Sequence, residues 1–211
     1  MAIIANIDIE TMWVFDVPAG PSIAEFSDEM GNPVTISEFD TFTAELFSPD
    51  EESLGFFETE LVGETLEITW PEETLLTIQG VYTISFSFTA VNAVRTSEPW
   101  QFVVQERDGW LSLEAARAKW PDAPIVDVIL YQLLQTAREQ CEAYAPPIGL
   151  LDQVPPRYRE AQAMQSRALF MASISNQADA VGVDGFTVRT FPLDWNIKAL
   201  LRPKRAIGGM F

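Results

Sequence analysis

Residues 81–89 read Val-Tyr-Thr-Ile-Ser-Phe-Ser-Phe-Thr, and no other stretch restricts the fold as tightly. Tyr82, Ile84, Phe86 and Phe88 would share one side of an extended chain, with Thr83, Ser85, Ser87 and Thr89 on the other. A period of two in β-branched and aromatic residues predicts a strand with one face in a core and one in water. The alternation recurs in Phe42, Ala44 and Leu46, in Leu66, Ile68 and Trp70, and in Trp100, Phe102 and Val104. Turn signals separate these runs: Pro18-Ala-Gly-Pro21, Gly31-Asn-Pro33, Ser48-Pro-Asp50, Pro71 and Gly80. Several short strands with little helical periodicity predict an antiparallel β-sandwich domain over residues 1–107.

Charge separates this stretch from the rest. The 211 residues carry 31 acidic and 13 basic side chains, a net −18. Residues 1–94 hold 18 Asp/Glu and no Lys or Arg, whereas residues 95–211 hold 13 of each sign. Two differently built domains joined near residue 107 are expected. An acidic surface argues against tight binding to duplex phosphates, which requires clustered Lys and Arg. Step Gly80-Val-Tyr82 resembles the tyrosine corner of immunoglobulin-like domains, although the Cys…Trp…Cys pattern of that fold is absent.

Composition removes most chemistries. One cysteine, Cys141, and no histidine exclude a disulfide within the chain, a zinc cluster and every nucleophile–histidine pair. The acid runs Asp50-Glu51-Glu52 and Glu72-Glu73 lack the spacing of a calcium loop and read as solvated turns. No carboxylate pair stands in a recognisable motif, and no phosphate loop is present. The expectation is a protein that is not an enzyme and needs no cofactor. Trp13, Trp70 and Trp100 could stack on a sugar, but Trp70 and Trp100 share register with core positions, so packing is the simpler reading. The first ten residues lack a positive region, and no uncharged apolar run nears the roughly 18 residues a membrane span needs. No membrane contact is expected, and a reducing cytoplasm suits the chain.

After Asp108-Gly109 the period changes. Ser112 is placed to cap a short helix that Pro121 ends, and Asp122 to cap a second with Pro124 in its first turn. Val126, Leu130, Leu133, Ala137, Cys141 and Tyr144 form one apolar face, stopped by Pro146-Pro147. Cys141 on that face reads as an inert core thiol. A third helix is predicted from about Arg157 to Gln177, with Ala161, Met164, Ala168 and Met171 as the stripe packed on the second. Phe186-Thr-Val-Arg-Thr-Phe191 alternates like a strand, and Asp194 caps a last helix through about Leu201. The chain ends in a basic, glycine-bearing tail, Arg202-Pro-Lys-Arg205-Ala-Ile-Gly-Gly-Met-Phe.

Two blocks in this half resemble the head-to-tail connector (adaptor) proteins of tailed bacteriophages. They are Tyr158-Arg-Glu-Ala-Gln-Ala-Met-Gln-Ser-Arg-Ala-Leu and Phe191-Pro-Leu-Asp-Trp-Asn-Ile-Lys-Ala-Leu-Leu-Arg-Pro-Lys-Arg205, the second similar to the C-terminal block of connectors from phages of actinobacteria. The resemblance covers residues 108–211 and says nothing of residues 1–107. It implies an α-helical connector domain with a long helical hairpin and an extended C-terminal arm at about 186–211, which with the N-terminal β-sandwich read above, immunoglobulin-like or other, makes an α+β, two-domain chain. It also implies a structural virion protein that forms a ring, typically of twelve copies, beneath the portal, joining head to tail and extending the DNA exit channel. Partners would be further copies of itself, the portal protein and a stopper or tail-side connector, with packaged DNA only passing through; separately, the acidic β-domain, placed outward by its charge, is a candidate to contact the capsid. The location would be the neck of the virion, after assembly in the host cytoplasm. Carried onto this sequence, the docking residues are Phe191, Pro192, Leu193, Trp195, Leu200, Arg202, Pro203, Lys204 and Arg205. Arginines 157, 159 and 167 suit ion pairs between subunits with Glu139, Glu142 or Glu160 better than phosphate contacts. Twelve clustered domains of −18 would repel one another, so the acidic half is expected to project outward into water. The alternative is a tail or baseplate adhesion module whose β-sandwich binds glycan.

Overall fold

A computed structural model describes residues 2–9, 12–71, 73, 75–91, 93–149, 152–179 and 192–203. The chain divides at Arg107 and Asp108 into two compact units. The predicted strand at 186–191 and the tail beyond Pro203 lie outside the described residues.

The first unit is all β. Its strands are β1 (Ile3–Ile7), β2 (Met12–Trp13), β3 (Ser22–Ser27), β4 (Thr41–Phe47), β5 (Ser53–Val62), β6 (Thr65–Thr69), β7 (Gly80–Ala90), β8 (Ala93–Glu98) and β9 (Trp100–Gln105). Strand β7 buries Tyr82, Ile84, Phe86 and Phe88, the four residues its alternation places together. Phe26 of β3 meets Phe86 and Phe88 edge to face, with centroids 5.2 and 5.0 Å away. Such contacts add to the apolar area they bury. The Tyr82 hydroxyl donates to the Ile78 carbonyl at 3.0 Å, so the corner at Gly80-Val-Tyr82 forms. Burial pushes that phenol above its ordinary pKa, against the backbone hydrogen bonds that lower it.

The predicted sandwich is overturned. Pairing runs β7-β4-β5-β6-β3-β1-β8, and β8 then pairs with β7 again, so seven strands close into a barrel. Strands β9 and β2 continue from the first half of β7. Two long strands make closure possible. In β5, Ser53–Phe57 pairs with β4 while Glu58–Val62 pairs with β6. In β7, residues 80–84 face β9 and residues 87–90 face β8. A register shift between Leu46 and Phe47, beside Gly55 with φ +119°, lets the sheet bend where β4 meets β5. Inward and outward residues alternate identically in sandwich and barrel, so periodicity alone does not separate them.

The helical half corrects the expected class as well. Its described helices are α1 (Leu113–Lys119), α2 (Asp127–Tyr144), α3 (Pro156–Asp179) and α4 (Trp195–Leu201), and two of them have only seven residues. A β-dominated chain with a closed barrel therefore replaces the α+β pairing of sandwich and helical connector domain. Ser112 caps α1, its hydroxyl accepting from the Ala115 amide at 3.2 Å. Asp122 caps nothing: α2 starts at Asp127, after an uncapped Val126. Pro124 disfavours helical geometry at Ala123, which delays the start.

Phe86→Ala should cost about 3–5 kcal/mol in denaturant unfolding, whereas Phe56→Ala, at a site 68% exposed, should stay within about 0.5 kcal/mol. A pH effect is also expected. The Glu64 carboxylate accepts from the Ser37 hydroxyl (2.5 Å) and from the Ile36 and Ser37 amides (2.8 and 3.3 Å). These bonds, that from the Ser37 hydroxyl first, hold it below the usual 4.5. Its stabilisation is complete above 4.5 and is lost as pH falls through the lower folded value. Glu64→Gln should therefore flatten the decline in melting temperature between neutral pH and pH 3.

Candidate docking site

Helix α4 carries Trp195 and Leu200, the other described docking residues flank it, and its limits are local. The Asp194 side chain accepts from the Asn196 amide at 2.9 Å, and Pro203 follows the C-cap Arg202. The inner face of α4 holds Ile197 and Leu201, at 2% and 0% exposure. They pack with Cys141 and Ala145 of the α2 end, Val154, and Tyr158 and Ala161 of α3. The Arg202 guanidinium lies 4.8 Å over the Tyr144 ring, and Lys198 reaches the same ring at 5.9 Å. Tyr158 donates to the Pro146 carbonyl at 3.0 Å, tying α3 to the loop that ends α2.

Behind this cluster Arg138 bonds Asp108 and, at 3.0 Å, Glu142, while stacking 5.4 Å over Trp110. Burial works against its charge, but the Glu142 and Asp108 carboxylates outweigh it and raise the pKa. Cys141 is fully buried, and that burial pushes its thiol up to about 12. A thiol so protonated is a poor nucleophile.

The candidate residues divide by environment. Trp195, the first residue of α4, is 74% exposed, and Pro192, Arg202 and Pro203 are exposed beside it in sequence. Leu193 and Leu200 are half-buried against the Cys141 cluster. Phe191, Lys204 and Arg205 lie outside the described residues. Tyr144 and Ile197, which position the helix, carry no motif that marks them beforehand; the spacing of Ile197 and Leu201 is the only clue.

Helix α3 keeps only part of its predicted stripe. Ala161 is buried, but Met164 and Met171 are 38% and 58% exposed and Ile174 is 46% exposed, so they face away from α2. The buried side mixes Tyr158, Ala161 and Leu169 with the polar Gln162, Gln165 and Ser166. Gln162 accepts from the Leu111 amide at 3.0 Å and donates to the Leu134 carbonyl at 3.1 Å. Ser166 donates to the Gln162 carbonyl at 2.8 Å, and Gln165 donates to Gln140 at 2.6 Å. A buried polar group is tolerated once it is bonded, and these are.

The barrel offers less. Trp70 is buried and donates to Ser22 at 2.9 Å, Trp100 stacks on Phe102, and Arg107 lies 5.0 Å over Trp13, so the three tryptophans form no shared platform. Asp50 and Glu52 hydrogen-bond through their amides to Ser48, as turn residues do. No group of three or more His, Cys, Asp or Glu poised for a metal occurs among the described residues. A groove of about 410 Å³ is lined by Val34, Phe39, Glu38 and Arg95, among others. No described helix is long and apolar enough to cross a membrane.

No protein-family model matches the chain, and no curated protein matches it. Among solved structures it is similar to CopC from Methylosinus trichosporium OB3b, with 8% identity and a TM-score of 0.33 over 52% of this chain and 98% of that one.

Ile197→Ala should lower the stability of the second unit by about 2–5 kcal/mol in denaturant unfolding. Trp195→Ala, which removes no buried contact, should leave it within about 0.5 kcal/mol.

Proposed function

We propose that the chain is a structural subunit of a tailed-phage virion, one copy in a ring beneath the portal that joins head to tail and continues the DNA exit channel. The observation that carries the reading is Trp195: a tryptophan three-quarters exposed, on a helix held firmly by Ile197 and Leu201, inside the block that resembles phage connectors. A large aromatic kept in water on a fixed backbone is what a docking surface supplies, because no backbone ordering is left to be lost on contact. Arg202 is pre-oriented by Tyr144 and can make charge-assisted bonds without surrendering that stacking.

The partners in this reading are further copies, the portal, and a stopper or tail-side connector. DNA passes through without being read. The acidic barrel, with 18 carboxylates in residues 1–94, keeps copies soluble and repels phosphate.

The test is co-sedimentation of the full chain with the portal protein of the same phage. Trp195→Ala should weaken binding roughly thirtyfold, the loss of about 2 kcal/mol at an interface hot spot. Removal of residues 202–211 should weaken it further. Undiminished binding by both variants would contradict the assignment of the docking site.

A further inference from the structure

We infer that one mouth of the barrel, between residues 33–39 and the β7–β8 hairpin, binds an apolar α-amino acid, its carboxylate on Arg95 and its ammonium on Glu38. The inference is independent of the ring reading, since every residue it uses lies in the first unit.

Strand register carries it. Arg95 of β8 stands directly opposite Phe88 of β7, and Ala93 stands opposite Ala90. Opposed residues of an antiparallel pair share one face of the sheet, and Phe88 is fully buried. The alternation that fills the barrel therefore turns Ala90, Ala93 and Arg95 to its inner side, where Ser97 further along β8 is buried. Arg95 is nevertheless exposed, because the interior opens there. The same three residues, with Val34, Glu38 and Phe39, line the groove of about 410 Å³. That volume falls within the range of small-ligand sites, roughly 300–1,000 Å³, and barrel mouths are among their usual places.

The walls are fixed without a ligand. The Val34 amide donates to the Phe26 carbonyl at 2.9 Å, and the Phe39 amide to the Ile36 carbonyl at 3.1 Å. Glu64 holds the Ile36 and Ser37 amides, and the Phe39 ring lies 5.5 Å from that of Phe88, which joins the groove to the core.

Charge selects the occupant. Arg95 is the first basic residue of the sequence, after 18 carboxylates. Neither Arg95 nor Glu38 has an ion pair among the described residues, so the two line one groove without neutralising each other. Asp28, the third charge there, is already engaged: its carboxylate accepts from the Met30 and Asn32 amides, both at 2.8 Å, and from the Asn32 side chain. Two free charges of opposite sign beside apolar side chains match a zwitterion with an apolar body, and an α-amino acid is the compact class that carries both. A net-neutral ligand also escapes the repulsion that the acidic unit imposes on a simple anion.

The experiment titrates the full chain with L-phenylalanine, 3-phenylpropanoate and 2-phenylethylamine, which share a ring and differ in charge, followed by calorimetry and ligand-observed NMR. L-Phenylalanine should bind, and loss of either its ammonium or its carboxylate should weaken binding at least about tenfold, the contribution of one charge-assisted bond. Arg95→Gln and Glu38→Gln, both at exposed positions, should each weaken L-phenylalanine by a similar factor, with circular dichroism verifying the fold. Pairing variant with analogue separates contact from structure. Arg95→Gln should erase the preference for L-phenylalanine over 2-phenylethylamine, and Glu38→Gln the preference over 3-phenylpropanoate. Absence of L-phenylalanine binding, equal binding of 3-phenylpropanoate, or variants that bind like wild type would each overturn the inference. None of these results bears on the portal test, whose variants lie in the second unit.

Discussion

Eighteen carboxylates in the first 94 residues must stay in water while the same residues bury enough apolar surface to fold. A buried unpaired carboxylate would cost several kcal/mol, so the backbone must send acidic and apolar side chains to opposite sides. Strict alternation does this, and it leaves an interior of Ala, Leu, Ile, Phe and a hydroxyl-satisfied Tyr82. The cost of such a sheet is its edges, where unpaired amides and carbonyls invite aggregation. Closure through β8, which pairs with β7 on one side and β1 on the other, removes most of that edge.

Much of this was legible in the residues and some was not. The strand through Tyr82, Ile84, Phe86 and Phe88 could be read directly, since one-face burial leaves a period of two. Closure could not, because it depends on which strand β8 meets, and β8, Ala93–Glu98, is exposed at nearly every position and carries no pattern. Its pairing is made by backbone groups that every residue possesses. Helix α4 was readable from Asp194 and from the Ile197–Leu201 spacing. The α3 stripe departs from its apolar spacing, with Met164 and Met171 exposed and Gln162 and Gln165 buried. Gln162 and Ser166 instead bond to α2 carbonyls, so the apolar residues half a turn away face outward. The docking residues came from resemblance to a family. Structure adds which of them are free: Trp195 and Arg202 present surface, whereas Leu193 and Leu200 serve the core.

The second unit thus joins an apolar interior to polar bonds between α2 and α3, and it leaves Met171, Ile174 and Ile129 partly exposed. Hydrogen bonds across α2 and α3 set the register of the pair, since each requires a particular partner at a particular height. Apolar packing alone would tolerate sliding. A pair so registered holds the exposed Met171 and Ile129 at fixed positions. Chemistry is correspondingly sparse: Cys141 is protonated and enclosed, and the charge network at Arg138 is internally paired.

The account turns on whether copies of this chain assemble at a portal, and electron microscopy of the purified full chain mixed with portal protein tests that most directly. A closed ring of added density on one end of the portal, with a symmetry shared by every particle, is the predicted result. Portal particles unchanged by an excess of folded chain would contradict it.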